Sequence, residues 1–357
     1  MFHYQAVVNL LPILLQLMAE KLLLLLVMAP LRTPLEAKQS LLEATRSSRS
    51  IRTESDTKMN GEFQLISKLR QQLSEFLSLR VGPGDDTAVL DHGQGSGWLF
   101  AADMLLAGVH FEPDEEPALI GRKALAVNLS DIAAMGGKPT AAVISVALPK
   151  GSQVGEPLHS GLFELAKQFD VAIAGGDTNS WDGPLVINVA VTGELSSGEQ
   201  PFLRSGARVG DWILCTGPLG GSLEGHHLTF TPRVKESLAI RDAVEVSSMI
   251  DISDGLAADL HHILTESEVG AVLFEERIPL RDNIAQLDNA TDRALSDGED
   301  FELLFTVAAA DARRLITAPP KGCNLVHIGE IVSSGAELQL RDGTRVPLKP
   351  RGWEHSL

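Results

Sequence analysis

From residue 59 onward, apolar positions fall into short regular patterns separated by breaks rich in Gly, Pro and Ser. In residues 61–77, Phe63, Leu65, Ile66, Leu69, Leu73, Phe76 and Leu77 recur at helical spacing and predict an amphipathic helix. Residues 95–105 (GSGWLFAADML) read as a turn and then a strand. PALIGRKALAVNLSDIAAM (117–135) predicts a helix opened by Pro117 and closed by Gly136–Gly137. TAAVISVALP (140–149) reads as a buried strand and PLHSGLFELAKQFD (157–170) as a second helix. VAIAGGDT (171–178) reads as a strand running into a Gly-Gly-Asp turn, and PLVINVAVTGEL (184–195) as another strand. Strands and helices thus alternate over 80–195, which points to an α/β fold.

SSGEQPFLRSGARVGD (196–211) is rich in Gly and Ser and marks a domain boundary. The second half opens with the strand DWILCTG and the turn GPLGGSLEG, continues with the strand, turn and helix of MIDISDGLAADLHHILTES, and closes with FELLFTV, LVHIGEIV and a short strand near ELQLRDG. Two domains are expected, 59–200 and 201–357, both α/β. The first 58 residues differ. Residues 10–30 are leucine-rich, but Glu20 and Lys21 divide them, so neither part reaches the ~18–20 apolar residues of a membrane-spanning helix. No basic stretch precedes them as in a signal peptide. Residues 31–58 are polar and have the composition of disorder. Three readings stand: a start placed too early, with Met59 the first residue; a disordered or partner-binding extension; and a membrane anchor.

Lys and Arg number 30 against 47 Asp and Glu, for a net charge of −17. That balance argues against a nucleic-acid partner, since binding a phosphate backbone by charge needs a basic face. Small phosphorylated ligands stay open, because bound cations invert the local sign. The two cysteines, Cys215 and Cys323, lie far apart and form no metal-type spacing, which suits a reducing, cytoplasmic setting.

Acidic residues recur at strand ends and glycine turns: Asp85 and Asp86 in GPGDD, Asp103 in AADML, Asp131 in NLSDIAAMGG and Asp177 in AGGDT. Asp251 and Asp254 in MIDISDG and Glu299 and Asp300 in SDGEDFELL continue the series. Strand ends are where α/β folds bind ligands. Converging carboxylates would repel one another strongly unless divalent cations lay between them, and oxygen ligands without a Cys/His cluster favour Mg²⁺ or Mn²⁺ over Zn²⁺. Several such ions point to phosphoryl chemistry on a nucleotide. Against this, Asp beside Gly is ordinary turn chemistry, and Glu299–Asp300 also reads as a solvated charge run. There is no G-x-x-x-x-G-K-[ST], no dinucleotide fingerprint and no protein-kinase H-R-D or D-F-G set.

Taken together and in order, GEFQLI, GPGDDTAVL, DMLLAGVHF, KALAVNLSDIAAMGGKP, AGGDT, LRSGARVGD, TGPLG, TPRV, IDISDGLAADL, GEDFELLFT and RGWEH resemble the bacterial thiamine-monophosphate kinases over about residues 60–355. These form a branch of the superfamily that includes aminoimidazole ribonucleotide synthetase. The resemblance implies ATP-dependent conversion of thiamine monophosphate to thiamine diphosphate with several Mg²⁺ ions. It implies an N-terminal mixed sheet with helices that binds ATP and Mg²⁺ and dimerises, and a C-terminal α/β domain that completes the site. Carried over by motif, Asp86, Asp103, Asp131, Asp177, Asp251 and Asp254 would hold metal. Gly176, Asp177, Arg204 and Ser253 would contact the nucleotide, and His110, Glu299 and Trp353 the substrate. It implies a homodimer with thiamine monophosphate and ATP as small-molecule partners, and no membrane partner. The implied chemistry is direct in-line transfer, carried by positioning and charge neutralisation with no covalent nucleophile or strong base.

The chain departs from the family pattern at Ala101–Ala102, where hydroxyl residues usually precede the Asp, and at Asp297–Gly298, usually Gly-Gly. Two other readings stay open: another ATP-dependent synthetase of the superfamily, and a nucleotide and metal sensor without turnover, of which Ala101–Ala102 would be the first sign. The N-terminal half has no cysteine, which weighs against a selenide-using enzyme.

Overall fold

A computed structural model describes residues 79–93 and 96–353. The expected helix at 61–77 and the extension before it lie outside the described residues. The N-terminal half contains β1 (Leu79–Val81), β2 (Ala88–Gly93), β3 (Ser96–Leu106), α1 (Pro117–Ala134), β4 (Lys138–Pro149), α2 (Gly155–Phe169), β5 (Ala172–Trp181) and β6 (Val186–Leu195). The C-terminal half contains β7 (Asp211–Cys215), α3 (His226–Thr229), α4 (Val234–Ala243), β8 (Val246–Asp251), α5 (Leu256–Ser267), β9 (Gly270–Phe274), α6 (Ala290–Ser296), β10 (Leu303–Ala308), α7 (Ala309–Thr317), β11 (Val326–Val332), β12 (Ala336–Gln339) and β13 (Arg345–Pro347). No described helix is long and apolar enough to cross a membrane.

The first sheet has six strands in the order β1-β2-β3-β6-β4-β5, antiparallel except for β4 with β5. The second has seven in the order β13-β12-β9-β11-β7-β10-β8, antiparallel except for β12 with β9. The alternating helix–strand pattern therefore builds mixed, mainly antiparallel sheets. The Gly-Gly-Asp turn expected at 175–177 is instead the middle of β5, which runs on to Trp181 along the sheet edge.

The two sheets are covered differently. In β6 alternate residues are buried, as for a sheet with one covered face. The covered face of the first sheet packs against α1 and α2. The other face leaves Trp98, Met104 and Val143 exposed. In the second sheet, β8 and β10 are buried without alternation. Met249, Leu214 and Phe305 join the core of the N-terminal half, whereas their neighbours Ile250, Cys215 and Leu304 join a second core with Leu256, Leu260 and Ile263 of α5. Both faces of the second sheet are thus sealed, one of them by the N-terminal half.

Helix α1 is buried on nearly all sides, which its apolar sequence permits. It crosses α2 so closely that a Cβ at Gly121 would stand 1.9 Å from the Leu158 carbonyl oxygen, and one at Gly161 1.9 Å from that of Ala118. The polar residues of this central helix, Lys123, Asn128, Ser130 and Asp131, are consequently carried into the interior, where each needs a partner.

Candidate active site

A cavity of about 540 Å³ opens between the two halves. Its walls include Asp103 from β3, His110 from the following turn, Asp131 from α1 and Asp251 from the end of β8, with Ser253, Asp254, Glu299 and Trp353. Strand ends and one helix thus bring together residues up to 250 positions apart, numbered 103 to 353.

At one end, oxygens of Asp86, Asp131 and Asp251 lie within 4.8 Å of one another. Asp103 shares a hydrogen bond with Asp131. Burial raises the pKa of all four; Arg204 opposes the rise at Asp86, while neighbouring carboxylates add to it at Asp131, held well above the usual range, and at Asp251, which reaches about 8. Ser130 Oγ donates to Asp251 Oδ2 at 2.5 Å. Asp86 Oδ1 accepts from Arg204 Nη2 at 2.6 Å, but buried Asp86 Oδ2 has no partner among the described residues. An orphaned carboxylate oxygen inside a cluster of buried acids with only one guanidinium fits a hard divalent cation.

The adjacent aspartates of GPGDD have separate roles. Asp85 Oδ1 accepts from the backbone N–H of Arg204 at 2.7 Å, while Asp86 takes its side chain. Together they clamp the 203–205 segment to the turn between β1 and β2. Arg204, expected at the nucleotide, has its fork engaged with Asp86 here, and its buried Nε has no partner among the described residues.

The IDISDG loop is held from below by a residue the sequence reading did not single out. Asp259 in α5 is buried, and its Oδ2 accepts from the N–H groups of Asp254 and Gly255 at 3.1 and 3.0 Å. The legible signal was an acid in the first turn of a helix, the ordinary complement to its N-terminal donors. Burial, with the charges of Asp254 and Asp251, holds Asp259 well above the usual carboxylate range. The backbone N–H of Trp353 donates to the Asp254 carbonyl at 3.0 Å, so Trp353 is seated on the same loop with its side chain half exposed at the cavity.

The GEDFE segment forms the opposite wall and is not a solvated charge run. Glu299 pairs with Lys123 Nζ at 2.5 Å. Asp300 accepts from the Gly220 N–H and from Arg281 Nη2 at 2.9 Å. Glu302 accepts from Thr216 Oγ1 and from two nitrogens of Arg233, at 2.7 and 2.5 Å. Glu299 and Phe301 have φ of +54° and +50°, in the left-handed region that non-glycine residues seldom adopt. Backbone N–H groups of both bond to Ser253 and Ile252 carbonyls at 2.6 and 2.8 Å, which ties this wall to the IDISDG loop. Across the cavity, His110 Nδ1 accepts from the Leu106 N–H at 3.0 Å, which leaves Nε2 as its donor nitrogen.

One expected pair stands apart. Through the strand register, Asp103 is level with Gly176, by way of Val189 and Ile144. Asp177 is level with Met104, on the opposite, exposed face of the sheet, and bonds Asn179 at 2.8 Å. Three strand spacings of ~4.8 Å put β5 roughly 14 Å from β3. Within one chain, Gly176 and Asp177 therefore do not join the Asp86–Asp103–Asp131–Asp251 group.

Two sheets flanked by buried helices, with acids converging between them, match the AIR synthase related proteins: the model of their N-terminal domain matches residues 84–195 and that of their C-terminal domain residues 215–340. The chain is 39% identical over 286 residues to a thiamine-monophosphate kinase of Rhodopirellula baltica, covering 76% of this chain and 89% of the relative. With that of Escherichia coli K12 it shares 35% over 323 residues, 83% of this chain and 98% of the relative. It belongs to the thiamine-monophosphate kinase family. Among solved structures, one described as AaThiL complexed with AMPPCP and TMP superimposes with a TM-score of 0.72 at 29% identity, covering 86% of this chain and all of that one. A thiamine-monophosphate kinase from Stenotrophomonas maltophilia gives 0.63 at 35% identity, with 79% and 96% covered.

Proposed function

We propose that this chain transfers the γ-phosphoryl group of ATP to thiamine monophosphate, yielding thiamine diphosphate and ADP. The observation that carries this reading is a single cavity with a cation-seeking acid cluster at one end and an amphipathic wall at the other, in a chain of this family. A phosphate oxygen of thiamine monophosphate forms a bond to the γ-phosphorus as the bond to the bridging β–γ oxygen breaks, and ADP leaves with that electron pair. The attacking phosphate is already anionic near neutral pH, so the site needs no strong base.

Asp86, Asp103, Asp131 and Asp251, with Asp254 on the adjoining loop, would hold Mg²⁺. Such ions neutralise charge between the two phosphate groups. Ser253 and Arg204 orient the nucleotide. Arg204 turns its fork from Asp86 toward phosphate oxygens, a geometry guanidinium suits. Glu299 accepts hydrogen bonds from the aminopyrimidine, His110 donates through Nε2, and Trp353 stacks on the cationic thiazolium.

We also infer a homodimer. The open face of the first sheet bears Trp98, Met104 and Val143, all exposed. If Gly176 and Asp177 serve the nucleotide and metals, a second copy must supply them, given their distance from Asp103 along the sheet. Buried free Cys215 and Cys323 suit the cytoplasm. The test is ADP release by the full chain at saturating Mg·ATP, with and without thiamine monophosphate. Release that requires the substrate is expected; no stimulation overturns the proposal.

A further inference from the structure

Lys123 lies in the middle of α1, with its side chain 0% exposed. Lysine is rarely buried so completely, and its ammonium must find partners there. It has two, from distant parts of the chain. Nζ donates to the His110 carbonyl at 2.5 Å and to Glu299 Oε2 at 2.5 Å. The first fixes the turn that presents the His110 ring. The second fixes a carboxylate whose own backbone is in the left-handed region and whose carbonyl accepts from Ser222 Oγ. Glu115 and His227, both lining the cavity, are the other titratable groups near the ammonium. Burial lowers the lysine pKa, and Glu299 and Glu115 oppose that shift.

We infer that Lys123 is a positioning residue for substrate recognition: it locks Glu299 and the His110 turn into one unit across the two halves and keeps Glu299 an acceptor of hydrogen bonds. This rests on the thiamine monophosphate reading above. A carboxylate held in an ion pair offers only lone pairs. With Oε2 engaged by the ammonium, Oε1 is the oxygen left for the ligand. The unit therefore selects a ring that presents an N–H donor at that point and rejects one that presents a carbonyl. Lys123 supplies this preference without touching the substrate.

The experiment compares wild type, Lys123→Met, Glu299→Gln and the double variant, in the full chain. The readouts are KM for thiamine monophosphate, KM for ATP, and the ratio of kcat/KM for thiamine monophosphate to that for its 4-oxo-pyrimidine analogue. Lys123→Met is expected to raise KM for thiamine monophosphate about 10- to 100-fold, the worth of a hydrogen bond to a charged group, with KM for ATP changing less than about 3-fold. The amino-over-oxo ratio should fall by a similar factor. In the amino-over-oxo ratio, which Lys123 sets through Glu299, the double variant should match Glu299→Gln within about 3-fold, while KM carries in addition the loss of the His110 turn. If Lys123→Met alone does not fold, the double variant, which removes both charges, still decides the matter. A folded Lys123→Met with unchanged ratio, or a double variant whose ratio falls far below that of Glu299→Gln, overturns the inference. Absence of thiamine monophosphate-dependent turnover in the wild type would instead overturn the function on which it rests.

Discussion

Two groups of acids stand at or behind the walls of one cavity, and the chain treats them in opposite ways. Along the GEDFE wall every carboxylate has its own cation: Lys123 for Glu299, Arg281 for Asp300, Arg233 for Glu302. In the cluster of Asp86, Asp103, Asp131 and Asp251, one guanidinium serves one member and an oxygen is left orphaned; burial raises Asp300 on the paired wall to about 6, but Asp131 and Asp251 are raised by neighbouring carboxylates as well, Asp251 to about 8. The difference teaches how to separate architecture from function among buried charges. Acids whose charge is balanced from within are held in one place, either as frame or, like Glu299, as a fixed acceptor at the cavity. Acids whose charge is left for something else to balance are an invitation to a ligand.

Removing a charge should therefore have opposite effects on the two sides. The largest effect is expected from Arg233→Met, which strands Glu302, 1% exposed, inside the protein. Loss of one partner of a buried pair should lower unfolding free energy by about 3–5 kcal/mol in urea titrations. Asp131→Asn removes repulsion and should leave the metal-free protein as stable as wild type or more so. Its kcat should fall on the order of 10²- to 10³-fold. A destabilised, active Asp131→Asn would erase the distinction between the two groups. Next in size, Mg²⁺ at about 100 times its Kd should stabilise wild type by ~2.7 kcal/mol in thermal melts, and Asp131→Asn much less.

The smallest effect concerns His226, beside the arginines of the paired side. Burial and the charges of Arg281, Arg233 and Arg122 lower its pKa from 6.5 to about 4. The unfolded chain takes up a proton first, so stability is complete above pH 6.5 and declines as pH falls toward 4. Melting temperatures across that window should show the decline, and His226→Gln should flatten it.

Much of this was legible in the sequence, for identifiable reasons. Helix α1 is announced by Pro117 and closed by Gly136–Gly137, and it was expected within one residue of its observed bounds. The acids were visible as carboxylates following apolar runs or beside glycines, and Asp131 of α1, Asp251 at the end of β8 and Asp254 in the loop after it do line the cavity. What was not legible depends on partners remote in the chain. Nothing local tells that Lys123 meets a carboxylate 176 residues away, or that Asp300 is claimed by a backbone N–H 80 residues earlier. Nor does AGGDT reveal an edge strand: glycines that look like a turn also allow close approach, and a Cβ at Gly176 would lie 1.9 Å from the Ile144 carbonyl oxygen. Asp259 was overlooked because an acid early in a helix usually serves only that helix, whereas here it holds the loop bearing Asp254.

The sealed second sheet bears on how substrates enter. Two-lobed enzymes commonly admit ligands by swinging about a hinge, which demands an interface that can part without exposing a core. Here Leu214, Met249 and Phe305 are interior residues of a core built largely from the N-terminal half. Swinging the lobes apart would tear that core open, so the two should melt as one cooperative body, with a single transition expected in calorimetry. Entry to the cavity is then by way of its rim, where Val109, Leu223 and Trp353 stand exposed.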